Sequence, residues 1–404
     1  MTTEQDRRAL VVGMGISGIA TAIRLRQIGW EPVLVERAAQ RRSGGYFVML
    51  WGAGFAAAER LGMAENLPDH GAPGSVQWEI DRLGNRTRAP KVFVGYAGGP
   101  RSMLRGDVEN AACAALPEDV EVRFSTVPTR IEQDAGGVDV TLRNTATGET
   151  ATERFALVVG ADGLRSTVRS LAFGPPERFL RRMGRITCAF QLSKPLTDLA
   201  QEDFAALLEP DRAMWIFGFA DHLPTVLLTY RTDDVDAEFH KPFAQRLREV
   251  FGAEPTGRAL GSVLDEVDAA EQVLFDSAEQ VLLDTWHHGR VVLVGDSAWC
   301  VTLYSGMGVS AGLAGADLLG TELQRHPDDL ATALAEWERK LRPPITDWQR
   351  MADGSRLLFN PGGRRDQLRR RMVVRGSGYP VVGPFVRRMV RRTRLSKNAD
   401  VAAA

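Results

Sequence analysis

The apolar run Ala9-Leu-Val-Val12 passes directly into Gly13-Met-Gly15-Ile-Ser-Gly18, and a small-residue stretch from Ile16 to Ile28 precedes a second apolar run at Pro32 to Glu36. No other feature limits the fold so tightly. A short continuous apolar run suits a strand covered on both faces, small residues suit a helix packed close against it, and Gly29 suits the helix end. Together they predict a β-α-β unit of a parallel sheet. In such a unit Gly13 permits the tight turn, Gly15 lets a pyrophosphate approach the backbone, and Gly18 lets helix and strand come together. The helix start then offers free N–H groups and partial positive charge to phosphate. Glu36, closing the second strand 18 positions after Gly18, is placed to accept hydrogen bonds from an adenosine ribose. The motif points to a dinucleotide and does not separate FAD from NAD.

Two further strand-then-glycine segments follow far along the chain. The first is Ala156-Leu-Val-Val-Gly160-Ala-Asp162-Gly163-Leu-Arg165, continuing to Ser166 and Arg169. Alone, it reads more readily as a turn feeding a capped helix. The second runs from Gly289 through Val291-Val-Leu-Val-Gly295-Asp296 to Trp299, Leu303, Gly306, Met307, Gly308, Val309 and Ser310. There Asp296 is read as ending a buried strand, where a carboxylate needs a polyhydroxyl ligand or backbone donors. Gly306 and Gly308 before a helix create a second anion-welcoming N-terminus. All three strands are expected in one sheet, at whose carboxyl edge ligands bind.

Between them, β-rich stretches from Arg185 to Tyr230 suit an antiparallel sheet with one wet face. This predicts an inserted second domain. Its Trp215, Phe217, Phe219 and Tyr230 either pack as core, the more frequent case, or line a pocket for a flat polycyclic or prenylated molecule. The expected divisions are 1–75, 98–180 and 285–342 for the dinucleotide-binding domain, 76–97 and 181–284 for the inserted sheet, and 343–404 for a C-terminal helical basic segment. The stretch from Leu313 to Leu341 reads as helix, with a break or restart at Pro343-Pro344.

The chain has 404 residues, 44% hydrophobic, with 50 Lys and Arg against 51 Asp and Glu. That near-neutral balance argues against attraction of the whole molecule to nucleic acid. Basic residues gather only between Arg364 and Lys397, where Phe385, Val386, Met389 and Val390 alternate with arginines at helical spacing. The pattern fits a helix on a membrane surface, and fits better a helix packed on its own protein. Cys113, Cys188 and Cys300 are too scattered for a disulfide framework or a zinc site, and no metal is expected. His287-His288 read as loop residues, and His222, Tyr230 and His240 as surface or packing residues that cannot be ranked as acids or bases. With a strand starting at residue 9 and no long apolar run, neither signal peptide nor membrane span is expected, and a cytoplasmic setting is.

The three motifs, in this order and approximate spacing over residues 9–340, resemble the class A flavoprotein monooxygenases, the para-hydroxybenzoate hydroxylase fold group with its tetracycline-degrading and ubiquinone-pathway relatives. The resemblance implies an α/β fold: a Rossmann-like FAD-binding domain with an inserted antiparallel-sheet substrate domain and a C-terminal helical segment. It implies that Gly13, Gly15, Ile16, Ser17, Gly18, Glu36 and Arg37 hold the ADP half of FAD, and that Asp162 and Gly163 serve FAD and NAD(P)H. It further implies that Asp296 grips the ribityl chain, and that Leu303, Gly306, Met307, Gly308 and Val309 lie at the flavin edge. Arg101 matches an arginine near the FAD phosphate, and Arg41-Arg42 with Gly44-Gly45 resemble a loop carrying a cofactor-contacting arginine. The implied reaction uses NAD(P)H and O2 to hydroxylate or epoxidise an aromatic, polyketide-like or prenylated molecule through a flavin C4a-hydroperoxide. The sequence departs from the family where many relatives carry His, Pro and Asn; Trp299, Leu303 and Ser310 stand there. An FAD-dependent reductase or dehydrogenase of a lipophilic substrate, which needs no oxygen-activating Pro, and a non-catalytic flavoprotein are the alternatives.

Overall fold

The computed structural model describes residues 7–41, 45–89, 99–270, 272–376 and 396–402. The apolar run after the N-terminus forms a strand, Arg8–Val12, at the centre of a six-stranded sheet. Its parallel neighbours are Glu31–Val35 on one side and Leu157–Gly160 on the other, with Val291–Leu293 next beyond. Each is buried along nearly its whole length, as a sheet covered on both faces requires. The three glycine motifs therefore emerge side by side from one sheet edge.

The inserted sheet has seven strands, in the order Leu274–Val281, Leu180–Gln191, Thr225–Arg231, Arg212–Phe217, Phe204–Glu209, Gln77–Ile80 and Arg86–Ala89. Neighbours are antiparallel except where Phe204–Glu209 runs parallel to Gln77–Ile80, so two chain segments more than a hundred residues apart meet there. Alternation along Arg212–Phe217 sorts its side chains by face. Met214 and Ile216 pack under two short amphipathic helices, Phe243–Phe251 and Arg258–Glu266. Ala213, Trp215 and Phe217 face the other way, toward the dinucleotide-binding domain.

Two expectations are corrected. The helical stretch expected from Leu313 through Leu341 is two helices, Gly308–Arg325 and Leu330–Phe359. The break falls at His326-Pro327-Asp328-Asp329, where Asp329 accepts from the N–H of Thr332 at 3.0 Å and starts the second helix. Pro343 and Pro344, where the break was expected, lie inside that second helix. Tertiary packing outweighs the lost hydrogen bonds: Trp337, Leu341, Ile345, Trp348 and Ala352 form one fully buried stripe, in phase on both sides of the prolines. Second, Asp296 does not end the strand. That strand stops at Leu293, Gly295 turns with φ of +71°, and Asp296 opens a short helix, Asp296–Trp299.

The segment with the expected amphipathic basic helix, from Pro384, lies outside the described residues, which resume at Ser396. Within the helix Gly363–Gly376 preceding it, Arg370 is buried and pairs with Glu79 of the inserted sheet at 2.6 Å. Among the described residues no helix is long and apolar enough to cross a membrane.

Under the sheet's third motif, Trp299 meets Trp286 at 4.7 Å between ring centroids and Trp337 at 5.8 Å, and Trp337 donates from its indole N–H to the Gly315 carbonyl at 2.9 Å. This trio joins the sheet to both long helices. Trp337→Ala is expected to cost about 3–5 kcal/mol, and Trp337→Phe, which keeps an aromatic ring, clearly less. Chemical-denaturation midpoints of the two variants check the order.

Candidate functional site

A cavity of about 370 Å³ lies where the glycine motifs face the inserted sheet. Gly15, Ile16 and Ser17 of the first motif, Gly163 of the second, and Asp296, Leu303, Gly306, Gly308 and Val309 of the third all line it. The motifs thus meet in space although about 280 positions separate their ends. The opposite wall belongs to the sheet and its neighbours: Thr187, Ala189, Phe217, Leu227, Leu274, Ser277 and Glu279, with Phe47 and Phe359 at the side.

The glycines divide by what surrounds them. Gly13 has φ of +104°, and a Cβ there would sit 2.5 Å from the Ala161 carbonyl oxygen; a Cβ on Gly18 would sit 1.8 Å from that of Gly13. These two serve the protein's own packing. A Cβ on Gly15 or on Gly308 would meet nothing within 4 Å, and neither has a positive φ. Nothing in the protein itself requires glycine there, so the open space in front of both is room for a ligand. Both begin helices whose first turns lack a side-chain cap and an acidic residue, Ile16–Gln27 and Gly308–Arg325. Two helix N-termini with free N–H groups therefore face one cavity, a setting for anionic groups.

Asp296 opens onto the same cavity. The protein packed around it pushes its carboxyl above the ordinary range, an effect that the Cys300 thiol and Arg105 oppose. Burial beside Asp296 pushes the Cys300 thiol well above its own range. A carboxylate in this setting fits hydroxyl donors, as a ribityl chain supplies. Glu36 stands at the end of its strand and accepts from the N–H of Met14 and of Ala38, each at 2.9 Å, which fixes the carboxylate beside the first glycine turn. Free lone pairs remain on both oxygens. The residues present therefore fit a flavin dinucleotide.

Other expected residues are placed differently. Arg101 lies away from the cavity, its guanidinium 3.9 Å from the Phe55 ring centroid and one N–H on the Leu67 carbonyl. Arg105, one turn of chain later, lines the cavity instead and pairs with Glu109 at 2.7 Å. The segment reaches the cavity through Arg105 and not Arg101, because the strand Arg101–Leu104 ends just before the helix that points Arg105 inward. Asp162 accepts from Ser166 Oγ at 2.5 Å and from the N–H groups of Thr167 and Val168, so its carboxylate caps the following helix, while Gly163 faces the cavity. Arg165 reaches across to Asp276, Ser277 and Glu279 on the inserted sheet. Arg37 is exposed, Arg41 bonds Asn110 at 2.6 Å, Arg42 falls outside the described residues, and Met307 is buried in the core.

Of the aromatic residues, Phe217 lines the cavity and stacks on Phe47 with centroids 4.3 Å apart. Trp215 donates to the Phe359 carbonyl at 2.8 Å, and Tyr230 donates to Glu238 at 2.7 Å on the far side of the sheet. The departures have structural roles: Ser310 Oγ accepts from the Trp51 N–H at 3.0 Å, Trp299 belongs to the indole trio, and Leu303 adds an apolar edge to the cavity. Tyr46, which no sequence motif marks, also lines it, its phenol pushed above its ordinary range by burial.

Behind the Leu303–Ser305 turn the chain returns at Ser396–Ala402. Lys397 is buried, donates to the Ser305 carbonyl and lies 4.6 Å from the Trp51 ring centroid. Burial pushes its ammonium down to about 8.

The sequence matches the model of the family described as FAD binding domain over residues 6–332. It is 29% identical over 345 residues to an uncharacterized protein of Mycobacterium tuberculosis, covering 82% of this chain and 88% of that one. It is 27% identical over 348 residues to a flavin-dependent monooxygenase of an unknown prokaryotic organism, covering 83% and 85%. Among solved structures, the tetracycline destructase Tet(51) superposes with a TM-score of 0.77 at 23% identity, covering 97% of both chains. Klebsiella pneumoniae HpxO, complexed with FAD and uric acid, gives 0.75 at 19% identity, covering 98% of both.

Two predictions follow from this geometry. Gly15→Val is expected to leave the apo protein's thermal midpoint nearly unchanged and to weaken FAD binding more than about 10-fold, whereas Gly18→Ala destabilises by about 3 kcal/mol, the upper end for overpacked cores; flavin-fluorescence titration and thermal melts separate them. Between about pH 8 and 10.5, folded Lys397 has lost a proton that the unfolded chain still holds, so its contribution makes stability rise with pH. Lys397→Met is expected to flatten that rise in melts across the window.

Proposed function

The chain belongs to the FAD binding domain family and is a flavin-dependent enzyme of the monooxygenase type, and from that premise we propose that it uses NAD(P)H and O2 to hydroxylate or epoxidise an aromatic, polyketide-like or prenylated small molecule. The observation that carries the reading is the cavity's pair of unlike walls. One is built of glycine turns and helix N-termini suited to a flavin; the other is an aromatic and aliphatic sheet face suited to a flat apolar substrate. That the relatives named flavin-dependent monooxygenases match along most of their length supports it.

FAD held there would supply the redox chemistry that couples NAD(P)H and O2 to oxygenation of the substrate, the second oxygen atom leaving as water. The chain's own residues bind, orient and exclude. The N–H groups at Gly15–Ser17 would hold the diphosphate, and Asp296 would accept from the ribityl hydroxyls. The helix start at Gly308 would offer positive charge to a reduced, anionic ring, and Arg105 adds a full cation to the cavity lining. Phe47, Phe217, Leu227 and Phe359 hold a flat substrate and keep water away, with Leu303 completing the apolar edge. Arg165, by tying Asp276 and Glu279 to the second glycine motif, fixes the distance between the walls.

The test is turnover of candidate aromatic substrates by the purified holoenzyme under oxygen gas enriched in the heavy isotope, with product mass measured. One heavy oxygen atom per product, with one NAD(P)H oxidised, is the expected result. A product reduced or dehydrogenated without isotope overturns the reading in favour of a reductase or dehydrogenase.

A further inference from the structure

We propose that His70, Asp221 and His222 form a binding site for a divalent transition-metal ion of the zinc type, joining the dinucleotide-binding domain to the inserted sheet. His70 belongs to the segment after the helix Gly52–Arg60, and Asp221-His222 to the loop leaving the strand Arg212–Phe217. The backbone brings them together: the His70 N–H donates to the Ser102 carbonyl at 2.8 Å, and the Ala220 N–H donates to the His70 carbonyl at 3.0 Å.

The side chains then converge. His70 Nδ1 lies 2.8 Å from Asp221 Oδ1, and His222 Nδ1 lies 3.0 Å from the same oxygen. One ligand atom from each residue can be chosen so that all three lie within 4.8 Å of one another. Around a tetrahedral zinc with bonds of about 2.0–2.2 Å, neighbouring ligand atoms are about 3.3 Å apart. Reaching that spacing takes only a small outward movement, and Asp221 is exposed and His222 partly so, which leaves them free to make it. Two imidazoles and one carboxylate are a zinc-type donor set, with a fourth position open to water.

His70 carries the second mark of a metal ligand. Its other nitrogen, Nε2, lies 3.2 Å from Asp107 Oδ2, the carboxylate backing that fixes the tautomer of a ligating histidine. A neutral imidazole has one N–H and cannot donate to Asp107 and Asp221 together. With its proton on Nε2, the Nδ1 lone pair faces a carboxylate oxygen at 2.8 Å, a repulsive contact that a metal ion or a second proton on the ring relieves. Charge points the same way: Asp107 and Asp221 carry two negative charges, which one divalent ion balances. A proton on His70 is the competing cation, and it balances only one of the two charges. Asp69, the remaining carboxylate nearby, is taken up by the N–H groups of Ser102 and Gly71.

The ion would act as a staple. His70 also packs edge-on against Phe219, which contacts Phe47 of the cavity wall, so the site stands one ring away from the substrate side of the cavity.

Calorimetric titration of tag-free, metal-stripped holoenzyme with zinc chloride at neutral pH tests this. One zinc per chain is expected, with binding weakened at mildly acidic pH as protons take the imidazoles. His222→Ala and Asp221→Asn are expected to weaken binding more than 10-fold, and Asp107→Asn, which keeps an acceptor for the Leu104 N–H, by about 10–100-fold. Flavin absorbance and circular dichroism of each variant report that the fold is kept, and cobalt(II) in place of zinc should give ligand-field bands beyond the flavin's own absorption. Absence of saturable binding, or binding that survives both His222→Ala and Asp221→Asn, overturns the proposal. So does titration of His70 and His222 by protons with no competition from zinc.

Discussion

The contact of Gly18 with the Gly13 carbonyl is the constraint on which the molecule is built. Because neither residue carries a side chain, the helix Ile16–Gln27 lies directly against the strand Arg8–Val12 and the turn of the second motif at Ala161. The same closeness recurs at Ser17, whose hydroxyl would meet a Cβ on Gly295 at 2.3 Å and one on Gly312 at 2.4 Å. First strand, first helix, third motif and long helix are thereby drawn to one point. Both uncapped helix starts end up on the same cavity only because these approaches are so short. A single methyl group at Gly18 would separate the layers and move the helix start away from the position a diphosphate needs.

Much of this is legible in the sequence, for a physical reason. Strands buried on both faces must be continuously apolar, and close approaches must be glycine, so the runs at 9–12, 157–160 and 291–293 and the glycines after them carry their own signature. What escaped was set by distant packing. Pro343-Pro344 look like a helix end to any local reading, yet the buried stripe from Trp337 to Ala352 holds the helix through them. Arg101 and Arg105 sit four positions apart, and which one faces inward depends on where a strand becomes a helix. His70 and Asp221 are 151 positions apart, and no spacing rule joins them.

The helix layer of the dinucleotide-binding domain is held by charge as well as by apolar surface. Asp317, fully buried in the long helix, pairs with Arg60 at 2.7 Å and with Arg24 at 3.4 Å, and Arg60 continues to Asp400. Burial pushes the Asp317 carboxyl up and Arg60 draws it back, so the pair is a geometric lock more than a source of stability. Removing one partner would leave an uncompensated charge inside the helix layer. Arg165 performs the equivalent task across the cavity, where the partner acids belong to the inserted sheet.

The prop beneath the Leu303–Ser305 turn has a consequence for how the protein is made. Lys397 and the Ser305 carbonyl it holds are separated by 92 positions, and Asn398 reaches Gly52 across 346. A ribosome must finish both long helices before either contact can exist. The nascent chain therefore displays its glycine turns, and a sheet edge ready to receive them, well before the floor of the pocket is fixed. The stretch Ser396–Ala402 is thus a late stitch, made only after the turns it holds are in place.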